Sequence, residues 1–161
     1  MALEAVGSKE GEGMDPAAIR ERALARAREI GAPFRGFLLP AEAWALFASG
    51  EAELVDTRTH AERDWVGYVP GGLHIEWYGY PSQRLNERFL DQLREKVPRD
   101  RPVAFLCRNG VRSRAAAALA TGDGYGEAFD ILYGFEGDAN ARGQRGTING
   151  WRFAGLPWRQ D

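Results

Sequence analysis

The sequence predicts an α/β domain: a parallel sheet of about five strands with helices on both faces. Three observations carry this. Short apolar runs alternate with amphipathic segments from residue 37 to residue 133, the order that builds parallel sheets. The run at residues 102–106 (PVAFL) is continuously apolar, as a strand covered on both faces must be. Beyond it a glycine turn leads into SRAAAALA, whose small side chains let a helix pack closely on a sheet.

The elements follow in order. Residues 1–14 read as a flexible leader, and residues 15–35 as an N-terminal helical extension. Asp15 is a good N-cap and Pro16 suits the first helical position, where its missing N–H costs nothing. Ile19, Ala23, Leu24, Ala27 and Ile30 form a stripe at helical spacing, and Gly31 ends it. The domain proper spans residues 36–140. Phe37 to Leu39 form a short apolar run, and Pro40 opens a helix through Ser49. Residues 52–56 (AELVD) read as a buried strand, 59–65 as a short helix, and 68–75 (YVPGGLHI) as a turn and a strand. Leu85, Phe89, Leu93 and Val97 recur every four residues, predicting an amphipathic helix over 82–97. Residues 127–133 (EAFDILY) are the last strand, followed by one more helical turn near Phe135. Nine of the 20 glycines lie between Gly122 and Gly155, so the end of the chain should be mostly turns. Its aromatics, in NGWRFAGLPW, predict that residues 141–161 form a tail packed on the domain.

Composition excludes several classes of function. At 161 residues, 44% hydrophobic and 27% charged, with net charge −2, the chain is an ordinary globular domain. The near-neutral balance argues against bulk binding to nucleic acid or anionic membrane. No stretch approaches the roughly 18 apolar residues of a membrane span. The first residues lack the basic and apolar regions of a secretory signal, so a cytoplasmic location is expected. Cys107 is the only cysteine, which excludes an internal disulfide and leaves no set of cysteines for a metal.

Cys107 stands where the strand PVAFL ends, followed by Arg108, Asn109, Gly110, Val111, Arg112 and Ser113. In open α/β sheets, ligands bind beyond the carboxyl ends of the strands. A loop there that feeds a helix turns backbone N–H groups inward, and the helix dipole adds positive potential. Such a cradle binds anions and favours a thiolate over a thiol. Arg108, Arg112 and Arg114 add cations, and Gly110 permits a tight loop. A cysteine at the end of a core strand is, taken alone, a small buried hydrophobe. The whole string instead indicates an activated, partly exposed nucleophile.

CRNGVR resembles the rhodanese active-site pattern Cys-Arg-x-Gly-x-Arg. LVDTRTHAERDWVGYVPGGLHIEW is similar to that family's other signature, a strand ending Asp-x-Arg followed by a Pro-Gly turn. The resemblance runs from Leu38 to about Asp138. It implies a rhodanese-type fold and a sulfurtransferase without metal or organic cofactor. Cys107 would take the outer sulfur of a small anionic donor such as thiosulfate as a persulfide, and a thiol, a protein thiol among them, or cyanide would remove it. Arg112 would brace the loop and add positive potential, Arg108 would stand at the pocket entrance, and Ser113 would cap the helix near the sulfur. Asp56 and Arg58 match the Asp-x-Arg signature, either as a structural ion pair or as substrate contacts. Tyr68 stands where the family often has His, which should alter local packing. His60 and His74 read as exposed-loop and strand-end residues rather than general bases. The aromatics Trp77, Tyr78 and Tyr80 either line the pocket or form a surface turn.

Three alternatives remain open from the residues. A persulfide carrier would work only between protein partners. A cysteine phosphatase or arsenate reductase needs five residues between Cys and Arg, whereas Arg112 leaves four. A non-catalytic binding module would have no use for Cys107.

Overall fold

The computed structural model describes residues 15–161; the expected leader, residues 1–14, lies outside them. Five parallel strands form one sheet in the order β1-β5-β4-β2-β3: β1 Gly36–Leu38, β2 Glu53–Asp56, β3 Leu73–His74, β4 Val103–Leu106 and β5 Ala128–Ile131. Among the described residues five helices connect and cover them: α1 Pro16–Ile30, α2 Pro40–Ala48, α3 His60–Val66, α4 Phe89–Lys96 and α5 Val111–Gly122. None of these helices is long and apolar enough to cross a membrane.

Local chemistry sets the ends of α1. Asp15 accepts from the Ala18 N–H at 3.1 Å, and Gly31 closes the helix at φ 66° with its N–H on the Ala27 and Arg28 carbonyls. Its stripe of Ile19, Ala23 and Ala27 is buried. The polar side is fastened too. Glu42 of α2, 2% exposed, accepts from Arg22 and from both terminal nitrogens of Arg26, and from the Leu39 N–H at its own helix start.

Alternating strand residues divide the core in two. Val55, Phe105 and Val103 face α4 and α5 with Phe89, Leu93, Ala116 and Ala120. Leu54, Ala104, Leu106, Phe129 and Ile131 face α1 and α2 with Ile19, Leu46 and Trp151. The last strand is shorter than the pattern suggested, because Tyr133 turns to φ 69°. Turns rather than a helical turn surround Phe135.

The helix expected over 82–97 is only its second half, Phe89–Lys96. Leu85 instead bridges Tyr78 in an antiparallel turn and is 59% exposed. Asn86 holds that turn: its N–H reaches the Trp77 carbonyl, its amide the Glu76 carbonyl and Gln92, and its Oδ1 accepts from Arg88 N–H. Side-chain bonding of this kind outcompetes the first turns of a helix.

The last residues are fastened at Trp44, Phe135 and Tyr68. Trp151 is buried, donates from Nε1 to the Pro157 carbonyl at 2.8 Å, and meets Trp44 edge-on. Trp158 packs edge-on against Phe135. Tyr68 and Arg159 exchange both backbone hydrogen bonds at 2.9 Å, and the Tyr68 hydroxyl donates to Asp161. The tyrosine that departs from the family pattern is thus a mooring for the tail.

Candidate active site

β4 is the central strand of the sheet, and its carboxyl end delivers Cys107 to the start of α5. Gly110, at φ 106°, makes the turn into the helix. The Gly110 N–H points back at the cysteine sulfur, with N–Sγ 3.0 Å. The twelve residues of α5 direct their dipole at the same atom. From outside, the chain after β5 clamps the loop. Phe135 N–H donates to the Cys107 carbonyl at 2.8 Å and Glu136 N–H to the Arg108 carbonyl at 3.0 Å. The chain passes so close that a Cβ on Gly134 would lie 2.5 Å from the Arg108 backbone. Carbonyls are therefore engaged outside the loop while an N–H faces the sulfur within it.

The expected loop residues separate into different roles. Cys107 is fully buried rather than partly exposed, because its sulfur sits beneath the turn with the Ser113 hydroxyl 3.3 Å away. Ser113 does not cap α5, whose N-cap is Gly110; it lies one turn inside and donates to Asp130 Oδ1 at 2.5 Å. Arg108 is exposed and Asn109 half-buried at the rim. Val111 opens α5 and is 69% exposed, so its side chain contributes no binding group. Arg112 is not a free cation for an anion: its two terminal nitrogens grip both oxygens of Glu62, at 2.7 and 2.8 Å, and its guanidinium lies over the Tyr78 ring.

Glu62 explains how α3 serves the loop. Its Oε1 also accepts from the Thr59 N–H and hydroxyl, completing a capping box at the start of α3. Burial opposes its ionisation, but Arg112 and the Thr59 N–H outweigh it and hold its pKa below the ordinary carboxylate value. Burial likewise opposes the charge on Arg112, and Glu62 reverses this, raising its pKa.

Asp56 and Arg58 pair with each other instead of facing the loop. Both are buried, at 1% and 0% exposure, with Arg58 NH2 to Asp56 Oδ2 at 2.7 Å. Arg58 also donates to the Gly67 carbonyl and lies 4.1 Å from the Phe135 ring centroid. The His60 and His74 ring centroids lie 4.6 Å apart, the rings tilted by 60°. His74 Nε2 is 2.6 Å from the Arg58 carbonyl oxygen, and burial lowers its pKa. With Glu76 the two histidines place side-chain nitrogen and oxygen atoms within 4.8 Å of one another, a grouping that cysteine counting did not anticipate. Of the aromatic segment, Tyr78 borders the loop through Arg112, Trp77 packs on Phe89, and Tyr80 is exposed.

Sequence reading missed Asp130, in the middle of β5 and wholly buried. Its signal was available: a carboxylate inside an otherwise apolar core strand demands a partner. Burial pushes its pKa up to about 7, with Ser113 and Arg114 pulling the other way. The folded state holds this proton more tightly than the unfolded chain, so its contribution is fully present below about pH 4 and is lost as the pH rises to about 7. Asp130→Asn is expected to remove that loss, melting higher than wild type at pH 8 but not at pH 4.

The chain is similar to known proteins over this span. The pattern of the Rhodanese-like domain matches residues 39–141. The chain belongs to the rhodanese-like family. An uncharacterized rickettsial relative, RP600 of Rickettsia prowazekii, is 34% identical over 118 residues, covering 71% of this chain and 88% of its own. The thiosulfate sulfurtransferase GlpE of Actinobacillus succinogenes is 28% identical over 120 residues, covering 74% and 86%. Among solved structures, Rv0390 of M. tuberculosis superposes with a TM-score of 0.71 at 41% identity, covering 78% of this chain and 97% of that one. The rhodanese-like match covers the whole span from α2 to the clamp after β5, including the Cys107 loop.

Proposed function

We propose that this protein is a sulfurtransferase that carries sulfane sulfur as a persulfide on Cys107. One observation carries the reading: the sulfur sits at the start of α5 with the Gly110 N–H directed at it at 3.0 Å. Thiolate and persulfide anions both gain from such a donor and from the helix dipole. The thiosulfate sulfurtransferase names among the relatives support the same chemistry. The thiolate attacks the outer sulfur of thiosulfate; the sulfur–sulfur bond breaks and sulfite leaves with the electron pair. A thiolate or cyanide then attacks the terminal sulfur and Cys107 leaves as thiolate. Burial of the sulfur favours a small anion that can pass the rim at Arg108.

Intact-protein mass spectrometry after incubation with thiosulfate tests the reading. The expected result is a gain of one sulfur atom, removed by cyanide and absent from Cys107→Ser, whose melting curve stays that of a folded protein. No adduct on wild type would refute thiosulfate as donor; a gain only from a protein persulfide would mark a carrier between protein partners.

A further inference from the structure

We propose that Asp130 accepts the proton that Cys107 loses, by way of the Ser113 hydroxyl. The proposal rests on the reading of Cys107 as nucleophile. Three groups stand in line: Cys107 Sγ, Ser113 Oγ at 3.3 Å, and Asp130 Oδ1 at 2.5 Å from that oxygen. A serine hydroxyl has one hydrogen. While that hydrogen is donated to an ionised Asp130, only lone pairs face the sulfur, which suits a thiol S–H and opposes a sulfur anion. Once Asp130 is protonated it donates to Ser113, and the serine hydrogen turns to the sulfur anion. The charge on the sulfur and the proton on Asp130 are therefore linked.

The surroundings of Asp130 favour this exchange. A buried carboxylate kept ionised usually collects two or three donors. Asp130 receives one, from Ser113, and its buried Oδ2 has no hydrogen-bond partner. The cation facing it from α5 is Arg114, whose Nε stands 3.6 Å away and whose guanidinium lies over Phe37. The titratable group facing it from the loop, through Ser113, is Cys107. Its register neighbours on β1 and β4 are Phe37 and Phe105. Burial brings its affinity for a proton up to near neutrality.

The step balances without another reactant. The Cys107 S–H proton passes to Ser113 Oγ as the serine proton passes to Asp130 Oδ1. The thiolate takes the outer sulfur of the donor and sulfite departs. The persulfide anion remains opposite a neutral Asp130. When the acceptor removes the sulfur and the Cys107 thiolate is released, the proton returns by the same route. Asp130 touches neither donor nor sulfur; it is a positioning residue that holds one proton.

Infrared spectroscopy and loading kinetics on the whole protein test this, with thiosulfate as donor and persulfide formation followed by mass. In loaded wild type at pH 7, a neutral carboxyl C=O band that shifts in D2O is expected, and Asp130→Asn should lack it. The band should titrate at lower pH in Cys107→Ala, which has no sulfur charge to favour the proton. Asp130→Asn and Ser113→Ala should load at least tenfold more slowly than wild type around and just above pH 7, the difference shrinking at low pH, where Asp130 already holds a proton, and at high pH, where the thiol ionises unaided. A merely structural role would slow loading equally at every pH. Persulfide formation without an Asp130-dependent band, or parallel pH profiles, overturns the proposal. Absence of persulfide in wild type from both thiosulfate and a protein persulfide donor refutes the nucleophile reading itself, and the relay with it. Ser113→Ala and Cys107→Ala keep the test decisive if Asp130→Asn does not fold.

Discussion

Replacing Asp56 with alanine is expected to destabilise the protein by about 3–5 kcal/mol, the loss that follows removal of one partner from a buried ion pair. Asp56 Oδ1 accepts from the backbone N–H and Nε of Arg58, and Oδ2 from Arg58 NH2 and from Arg63. Without it, the Arg58 guanidinium stays inside the fold with the Gly67 carbonyl and the Phe135 ring as partners. One Arg58 nitrogen already lacks a hydrogen-bond partner in the intact site. A loss of this size is a large share of the roughly 5–15 kcal/mol that holds a typical domain together. Denaturant unfolding checks it: the midpoint should fall sharply with an unchanged slope. Acid should reproduce part of the effect in wild type. Burial opposes the charge on Asp56, but Arg58 and Arg63 prevail and its pKa lies below the ordinary value. The stabilisation is therefore present above about pH 4 and lost as the pH falls through that lowered pKa.

The second large effect is on activity. Arg112→Ala should slow persulfide loading about 100-fold, the scale on which a displacement of about 1 Å in a supporting group acts. The guanidinium ties the first turn of α5 to Glu62 of α3 and lies against Tyr78. Its removal lets the Gly110 N–H drift from the sulfur it points to. Arg112→Lys should recover little, since an ammonium cannot match the two-pronged grip on a carboxylate. Time courses of persulfide mass on matched folded samples measure both. A silent Arg112→Ala would show that the loop keeps its shape without the brace.

Much of the fold was legible because its signals are local. Asp15 and Pro16 at one end of α1 and Gly31 at the other mark the helix in the residues themselves. PVAFL declared a central strand, and the string from Cys107 to Ser113 declared a strand-to-helix loop. What failed was competition between local patterns: Leu85 fits the four-residue spacing of α4, yet Asn86 gives the backbone before Phe89 other partners. What stayed hidden was distance. Glu62 and Arg112 are 50 residues apart, and the Ser113–Asp130 bond joins a helix to a strand across 17. Nothing within either segment names the other. Only the cost of burying an unpaired Asp130 in β5 hinted that a partner existed.

The double use of Glu62 also bears on whether the cysteine loop is portable. One carboxylate begins α3 and anchors α5, so position 62 answers to two specifications at once. Aspartate lacks the length for both, and glutamine lacks the charge that Arg112 meets. A graft of residues 107–113 onto another α/β scaffold would carry the thiol, the glycine turn and the arginine. It would leave behind the strut on α3, the acid on β5 and the clamp at Gly134 that together give those seven residues their shape.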